Sequence, residues 1–187
     1  MDRLLLDACV VINLFAGGIL RSLAHEAGSE LIVVEQVTSE VLSVDDDDEE
    51  RETLEWEPLN ADRTIRPITL SRTDEVTTFL GLIPRLGDGE AASLAAARHR
   101  NLVLATDDGL ALSAAAESDP SVTAVTTPDI VRWWANTVGA EAPRLAATIA
   151  RIETRARYRP AGRHPLATWW ADARLVDGQV PHMNRVM

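Results

Sequence analysis

The chain reads as an α/β protein with a central, mainly parallel sheet covered by helices on both faces, a three-layer α/β/α arrangement. Short apolar runs alternate with stretches of helical character, which is the pattern of a parallel sheet joined by crossover helices. Glycines and small polar residues punctuate those stretches where helices start and stop. At 187 residues with a 46% hydrophobic share, the chain can build one well-cored domain plus a modest extension.

The elements follow in order. Leu4-Leu5-Leu6 is a short apolar run closed by Asp7, read as a strand, and Val10 to Phe15 lead as a helix to a stop at Gly17-Gly18. Leu31 to Val34 is a second strand, followed by a helix entered around Thr38-Ser39 that carries Glu40, Val41 and Leu42. Asp45 to Glu50 is a run of six acids, extended by Glu52, Glu55 and Glu57; it reads as a solvated helix face or loop and is assigned no chemistry. Thr64 to Leu70 is a strand broken by Pro67, and Ser71 with Asp74 and Glu75 marks a helix start with acids in its first turn. Gly87-Asp88-Gly89-Glu90 opens an alanine-rich helix. Asn101 to Ala105 has the pattern of a buried strand ending at Thr106-Asp107-Asp108-Gly109. A helix to about Glu117, a strand over Val122 to Val125 and a helix over Pro128 to Asn136 complete a domain of residues 1–140. Residues 141–187 form a C-terminal extension, an Arg-rich helix from Ala142 to Tyr158 and an irregular tail to Met187.

Composition narrows the chemistry. No apolar run approaches the roughly 18 residues that span a bilayer, and no signal-peptide pattern opens the chain, so no membrane partner and a cytoplasmic location are expected. The single cysteine, Cys9, can form neither an internal disulfide nor a thiolate metal site. All 18 cations are arginine, which excludes P-loop and Schiff-base mechanisms that need a lysine amine. The net charge of −11 is unevenly spread: residues 1–141 carry 10 Arg against 26 acids, and residues 142–187 carry 8 Arg against 3.

In a parallel α/β sheet, residues just past the carboxyl ends of the strands line one crevice. Asp7 and the Asp107-Asp108 pair have that address, and Glu40 and Glu90, each expected near a helix start, can be wound to the same edge. Two carboxylates about 4 Å apart repel by roughly 4 kcal/mol at an effective dielectric near 20, so a close set takes up protons or holds a cation. Oxygen ligands without cysteine favour Mg²⁺ or Mn²⁺ over zinc, and such an ion can lower the pKa of a bound water for in-line displacement at phosphorus. The expected reaction class is phosphodiester hydrolysis.

Four segments carry a family resemblance: Leu-Leu-Leu-Asp-Ala-Cys-Val-Val-Ile-Asn-Leu, Val-Thr-Ser-Glu-Val-Leu around Glu40, Leu-Gly-Asp-Gly-Glu-Ala-Ala-Ser-Leu-Ala around Glu90, and Leu-Val-Leu-Ala-Thr-Asp-Asp. In order and rough spacing they resemble the four acidic motifs of PIN-domain ribonucleases, over about residues 3–135. The family includes VapC-type toxins of toxin–antitoxin systems, Mg²⁺- or Mn²⁺-dependent endoribonucleases that are usually dimeric and inhibited by an antitoxin. The resemblance therefore implies a PIN-like fold, an RNA substrate, a homodimer and an antitoxin partner. It also implies Asp7, Glu40, Glu90 and Asp107 as catalytic residues, with Asp108 beside them as a metal ligand. Two choices stay open: Glu90 or Asp88 in the third motif, where the Gly-Glu-Ala-Ala context favours Glu90, and Asp107 or Asp108 in the fourth. Cys9 stands where the family often has Ser or Thr, and the acidic insert and C-terminal extension exceed a minimal toxin.

The remaining chemistry-bearing residues have plainer readings. His25, His99, His164 and His182 lack metal-ligand spacing and are read as packing or surface residues. Trp133-Trp134 and Trp169-Trp170 suit core or dimer packing better than base stacking. Arg144, Arg151, Arg155, Arg157, Arg159 and Arg163 either supply a phosphate track or pair with the acidic insert. The alternative function is a non-catalytic PIN-like module that binds RNA or protein. A haloacid-dehalogenase-type phosphatase also begins strand-Asp, but needs a second Asp two residues on and a lysine, where this chain has Cys9 and none.

Overall fold

The computed structural model describes residues 1–40, 42–45 and 51–175. Its first strand, β1 (Arg3–Leu6), owes its central place to Leu4, Leu5 and Leu6, all fully buried. A strand apolar on both faces needs cover on both, and helices provide it. The chain continues through α1 (Ala8–Gly17), α2 (Leu20–His25), β2 (Glu30–Val34), α3 (Glu35–Thr38), β3 (Ser43–Asp45), β4 (Arg51–Thr53), α4 (Trp56–Ala61), β5 (Ile65–Ile68) and α5 (Thr73–Leu82). It then passes through α6 (Asp88–Arg100), β6 (Val103–Ala105), α7 (Gly109–Glu117), β7 (Ala124–Val125), α8 (Thr127–Val138), α9 (Ala142–Arg155) and α10 (Ala167–Ala173).

Five strands form one sheet in the order β5-β2-β1-β6-β7, every neighbouring pair parallel, and β3 and β4 make a separate antiparallel hairpin. The winding runs outward from β1 through β2 to β5, then returns to the other side of β1 for β6 and β7. The reversal puts a topological switch point between β1 and β6, where Leu6 is in register with Ala105. The expected α/β sandwich is therefore present, with a wholly parallel central sheet and helices on its faces.

Local chemistry explains the boundaries. Gly18, at φ 70°, ends α1 in the left-handed conformation that glycine adopts at least cost. Glu75 accepts from the backbone N–H groups of Ser71 and Arg72 at the entrance to α5, as the acids there predict. Pro67 sits in β5 after all, opposite Val33, and is tolerated because β5 is an edge strand.

Several expectations need correction. The helix expected from Thr38-Ser39 onward instead ends there. Thr38 Oγ1 and Ser39 Oγ donate back to the carbonyls of Glu35 and Gln36, so these hydroxyls close the turn behind them rather than cap one ahead. Glu40 lies just beyond the helix, and Val41 is outside the described residues. Asp45 and Glu52 belong to the hairpin β3–β4, while residues 46–50 of the acidic run are outside the described residues. The tail read as irregular contains α10, whose Trp170 is buried and stands edge-on to Tyr158, ring centroids 6.0 Å apart. Residues 176–187, with His182, are outside the described residues.

The extension packs on the domain. A Cβ at Gly17 would meet Ile152 Cγ1 at 3.0 Å and Thr148 Cγ2 at 3.3 Å, so the glycine lets α9 approach α1 closely. Trp134 is fully buried, donates to Ser22 Oγ at 2.7 Å and has the Arg144 guanidinium 5.0 Å from its ring centroid. No helix among the described residues is long and apolar enough to cross a membrane.

Candidate acidic site

The site forms where β1 and β6 end side by side. Asp7 follows β1, and its backbone N–H donates to Ala105 O at 3.0 Å, extending the sheet ladder by one bond. Its side chain caps α1 through Oδ1, which accepts from Ala8 N at 2.9 Å. The other oxygen, Oδ2, accepts from Thr106 Oγ1 at 3.0 Å and from Cys9 Sγ at 3.3 Å. Asp7 is thus buried and held by three donors from two elements.

Glu40 reaches the same place from the turn after α3, and Glu90 from the first turn of α6. The Gly-Asp-Gly-Glu sequence makes room for both. A Cβ on Gly89 would stand 2.9 Å from Glu40 Oε1, and one on Gly87 would collide with Glu90 Oε2. A cleft of about 590 Å³ is lined by Asp7, Glu40, Asp88, Glu90, Asp107 and Asp108, with Cys9, Ile12 and Tyr158. All five of the acids singled out in the sequence therefore reach one cleft, and Asp88 reaches it too.

The carboxyls influence one another. Asp7 is pushed above the ordinary aspartate value chiefly by burial; bonds from Thr106, Cys9 and Ala8 oppose this, and the charge of Asp108 adds to it. Glu40 is raised by partial desolvation and then by the charges of Asp7 and Glu90. Glu90 is raised by desolvation first, then by Asp7 and Asp108, with backbone hydrogen bonding at Gly87 pulling the other way. Burial and the neighbouring Asp7 push the Cys9 thiol up to about 12, so it stays a protonated donor.

The two aspartates after β6 differ in their surroundings. Asp107 Oδ1 accepts from Thr127 N at 2.9 Å and Tyr158 Oη at 2.8 Å; Oδ2 accepts from Thr127 Oγ1 at 2.6 Å and Asn13 Nδ2 at 3.0 Å. A carboxylate offers about four lone-pair sites, and four donors fill them. Asp108 uses Oδ1 to cap α7, accepting from Leu110 N and Ala111 N at 2.8 Å each. The charge of Asp108 is felt at both Asp7 and Glu90.

Asn13, Thr106, Thr127 and Tyr158 escaped the sequence reading. Asn13 left one legible trace, an amide within the apolar run of α1, and it is buried. Thr106 was quoted only as part of a motif, and nothing local marks Thr127 or Tyr158. The arginines of the extension mostly have partners: Arg144 pairs with Glu26, Arg155 with Glu52, Arg157 with Asp45 and Arg159 with Glu153, while Arg151 donates to Gly17 O. Pairing with the hairpin is thus the arrangement seen for Arg155 and Arg157. Three histidines are engaged with hydroxyls, His25 with Thr64, His99 with Thr78 and His164 with Thr126.

The carboxyl oxygens gathered at this parallel-sheet edge suit a hard divalent cation. Among the described residues, no three His, Cys, Asp or Glu side chains stand close enough to form a ready-made metal cage. Compared with family models, curated proteins and solved structures, the chain matches none.

Proposed function

We propose that the chain is a Mg²⁺- or Mn²⁺-dependent endoribonuclease of PIN type. One observation supports this most: Asp7, Glu40, Glu90 and Asp108 come from four separate parts of the chain into one cleft at the switch point, and three of them are pushed towards holding a proton. Carboxyls raised first by desolvation and then by one another's charge favour a cation in their midst. A divalent ion held there supplies bound water of lowered pKa and a counter-charge for the phosphodiester.

The chain's residues divide the remaining work. Asp7 is the fixed ligand, its direction set by Ala8, Thr106 and Cys9. Glu40 and Glu90 hold the opposite wall over the glycines of α6, and Asp108 completes the set from the cap of α7. Asp107 fastens the strand end. Relation to VapC-type toxins, with a homodimer and an antitoxin partner, belongs to the same proposal. The neighbouring reading frame is the place to look for the antitoxin.

The test is cleavage of single-stranded RNA with Mn²⁺ or Mg²⁺, with EDTA and with Asp7→Asn. Activity that disappears in both arms supports the reading, and cleavage undiminished in Asp7→Asn removes it. A non-catalytic binding module is the second reading, favoured by the want of a ready-made cage among the described residues. Calorimetry separates the two, because such a module binds RNA but takes up no Mn²⁺.

A further inference from the structure

The acidic site is not built by the first 140 residues alone. α9 ends at Arg155, and Arg157, at φ 54°, takes the left-handed conformation that residues other than glycine rarely adopt. That turn is held from outside by the Arg157–Asp45 ion pair, at 2.6 Å. It sends Tyr158 back to the carboxyl edge of the sheet, where the phenol lines the acidic cleft. There Tyr158 Oη donates to Asp107 Oδ1 at 2.8 Å, while the ring is fixed edge-on against the buried Trp170. Trp170 is held in turn by its own donation to Glu153 Oε1 at 3.1 Å.

What Tyr158 reaches is a hub. Asp107 binds the first residue of α8 through both Thr127 groups and binds α1 through Asn13. Its backbone N–H meets Cys9 Sγ at 3.4 Å, and the next N–H, of Asp108, meets Thr106 Oγ1 at 3.1 Å. Thr106 in turn orients Asp7. The direction of the Asp7 carboxyl and the placement of Asp108 therefore both depend on how the Asp107 peptide is held.

We infer that Tyr158, supplied by the C-terminal extension, is a positioning residue of the acidic site, acting through Asp107 on the ligands Asp7 and Asp108. The inference rests on the metal-site reading of the cleft. It gives the extension a role at the site itself: without the fourth donor, Asp107 Oδ1 keeps only the Thr127 N–H, and the peptide between Thr106 and Asp108 is held less firmly. Groups that orient metal ligands from behind commonly alter metal affinity by about 10- to 100-fold.

The experiment is Mn²⁺ calorimetry on four full-length proteins: wild type, Tyr158→Phe, Asp107→Ala and the double variant. Thermal unfolding of each checks the fold, and Tyr158→Phe keeps the ring against Trp170. The expected result is about tenfold weaker Mn²⁺ binding for Tyr158→Phe. Added to Asp107→Ala, which removes the acceptor of the Tyr158 bond, the same change should cost less than about twofold, because its route is already cut. RNA cleavage should lose kcat more than KM rises. Equal Mn²⁺ affinity in Tyr158→Phe and wild type overturns the inference and leaves the nuclease reading intact, as do independent, multiplying losses in the double variant. A raised KM with unchanged Mn²⁺ affinity also overturns it, making Tyr158 a substrate contact. Failure of the wild type to take up Mn²⁺ overturns both.

Discussion

Thr106 Oγ1 donates to Asp7 Oδ2 at 3.0 Å, tying the ends of the two strands that flank the switch point. The contact joins residues 99 positions apart and fixes one carboxylate oxygen while the other carboxyls of the cleft gather around it. Replacing Thr106 by Val removes the donor and nearly preserves the shape. Mn²⁺ binding should weaken by about tenfold, as for other groups that orient a ligand. Calorimetry on the purified variant measures this.

Asp7→Asn should abolish RNA cleavage, with a loss of at least about a hundredfold, the upper end of what outer-shell changes cost. It should also make the protein more heat-resistant at neutral pH without metal. The sign follows from linkage. Asp7 binds its proton more tightly folded than unfolded, so the stability linked to that proton is present below the unfolded pKa and lost as pH rises through the folded one. Asparagine escapes that loss and still caps α1. Thermal melts of the two apoproteins at neutral pH check the direction.

Gly89→Ala separates fold from site in the opposite way. Gly89 lies in the first turn of α6, and a Cβ there would stand 2.9 Å from Glu40 Oε1. Alanine should leave folding unharmed or improve it by up to about 1 kcal/mol. The Glu40 carboxylate must move, and Mn²⁺ affinity should drop. Retained binding together with raised stability would mean that Glu40 is not a ligand.

Metal uptake should depend on pH above the usual carboxylate range. Asp7, Glu40 and Glu90 are all raised, so protons compete with the ion at milder acidity than at an isolated aspartate. Mn²⁺ affinity should go on climbing as pH rises above the range in which an isolated carboxylate has already lost its proton. Titrations at several pH values read the slope directly.

Away from the site, Glu75 is a structural test. Its side chain is fully buried and accepts from Arg100 Nε at 2.6 Å and Nη2 at 2.9 Å. Glu75→Ala leaves Arg100, which is partly exposed, with the Thr69 carbonyl and should lower stability, as denaturant unfolding measures. The bond from Arg100 holds the carboxyl at about 2, so its contribution is intact above the ordinary glutamate range and lost as pH falls towards that value.

How far the sequence foretells these features depends on range. β1, β2 and β6 were legible because their apolar runs record burial on both faces, and the ends of α1 and α6 because glycine and acids mark them. Glu40 was given the right neighbours with the wrong support: hydroxyls at Thr38 and Ser39 serve either end of a helix, and only the chain's path decides which. The difference in surroundings between Asp107 and Asp108 could not be read locally. It turns on Asn13, Thr127 and Tyr158, up to 94 positions away. The tail held a helix that a seven-residue stretch with two tryptophans signals poorly, since its partner Tyr158 lies outside it.

The sheet's two borders carry a consequence for how these molecules coexist at high concentration. One border, β5, contains Pro67, which has no amide hydrogen to offer, and the other, β7, spans only Ala124–Val125. An incoming strand finds an interrupted rail on one side and almost none on the other. A hydrophobic parallel sheet, otherwise a ready seed for fibrils, is thereby blunted at both rims, so growth strand by strand onto a second copy is discouraged by the backbone itself.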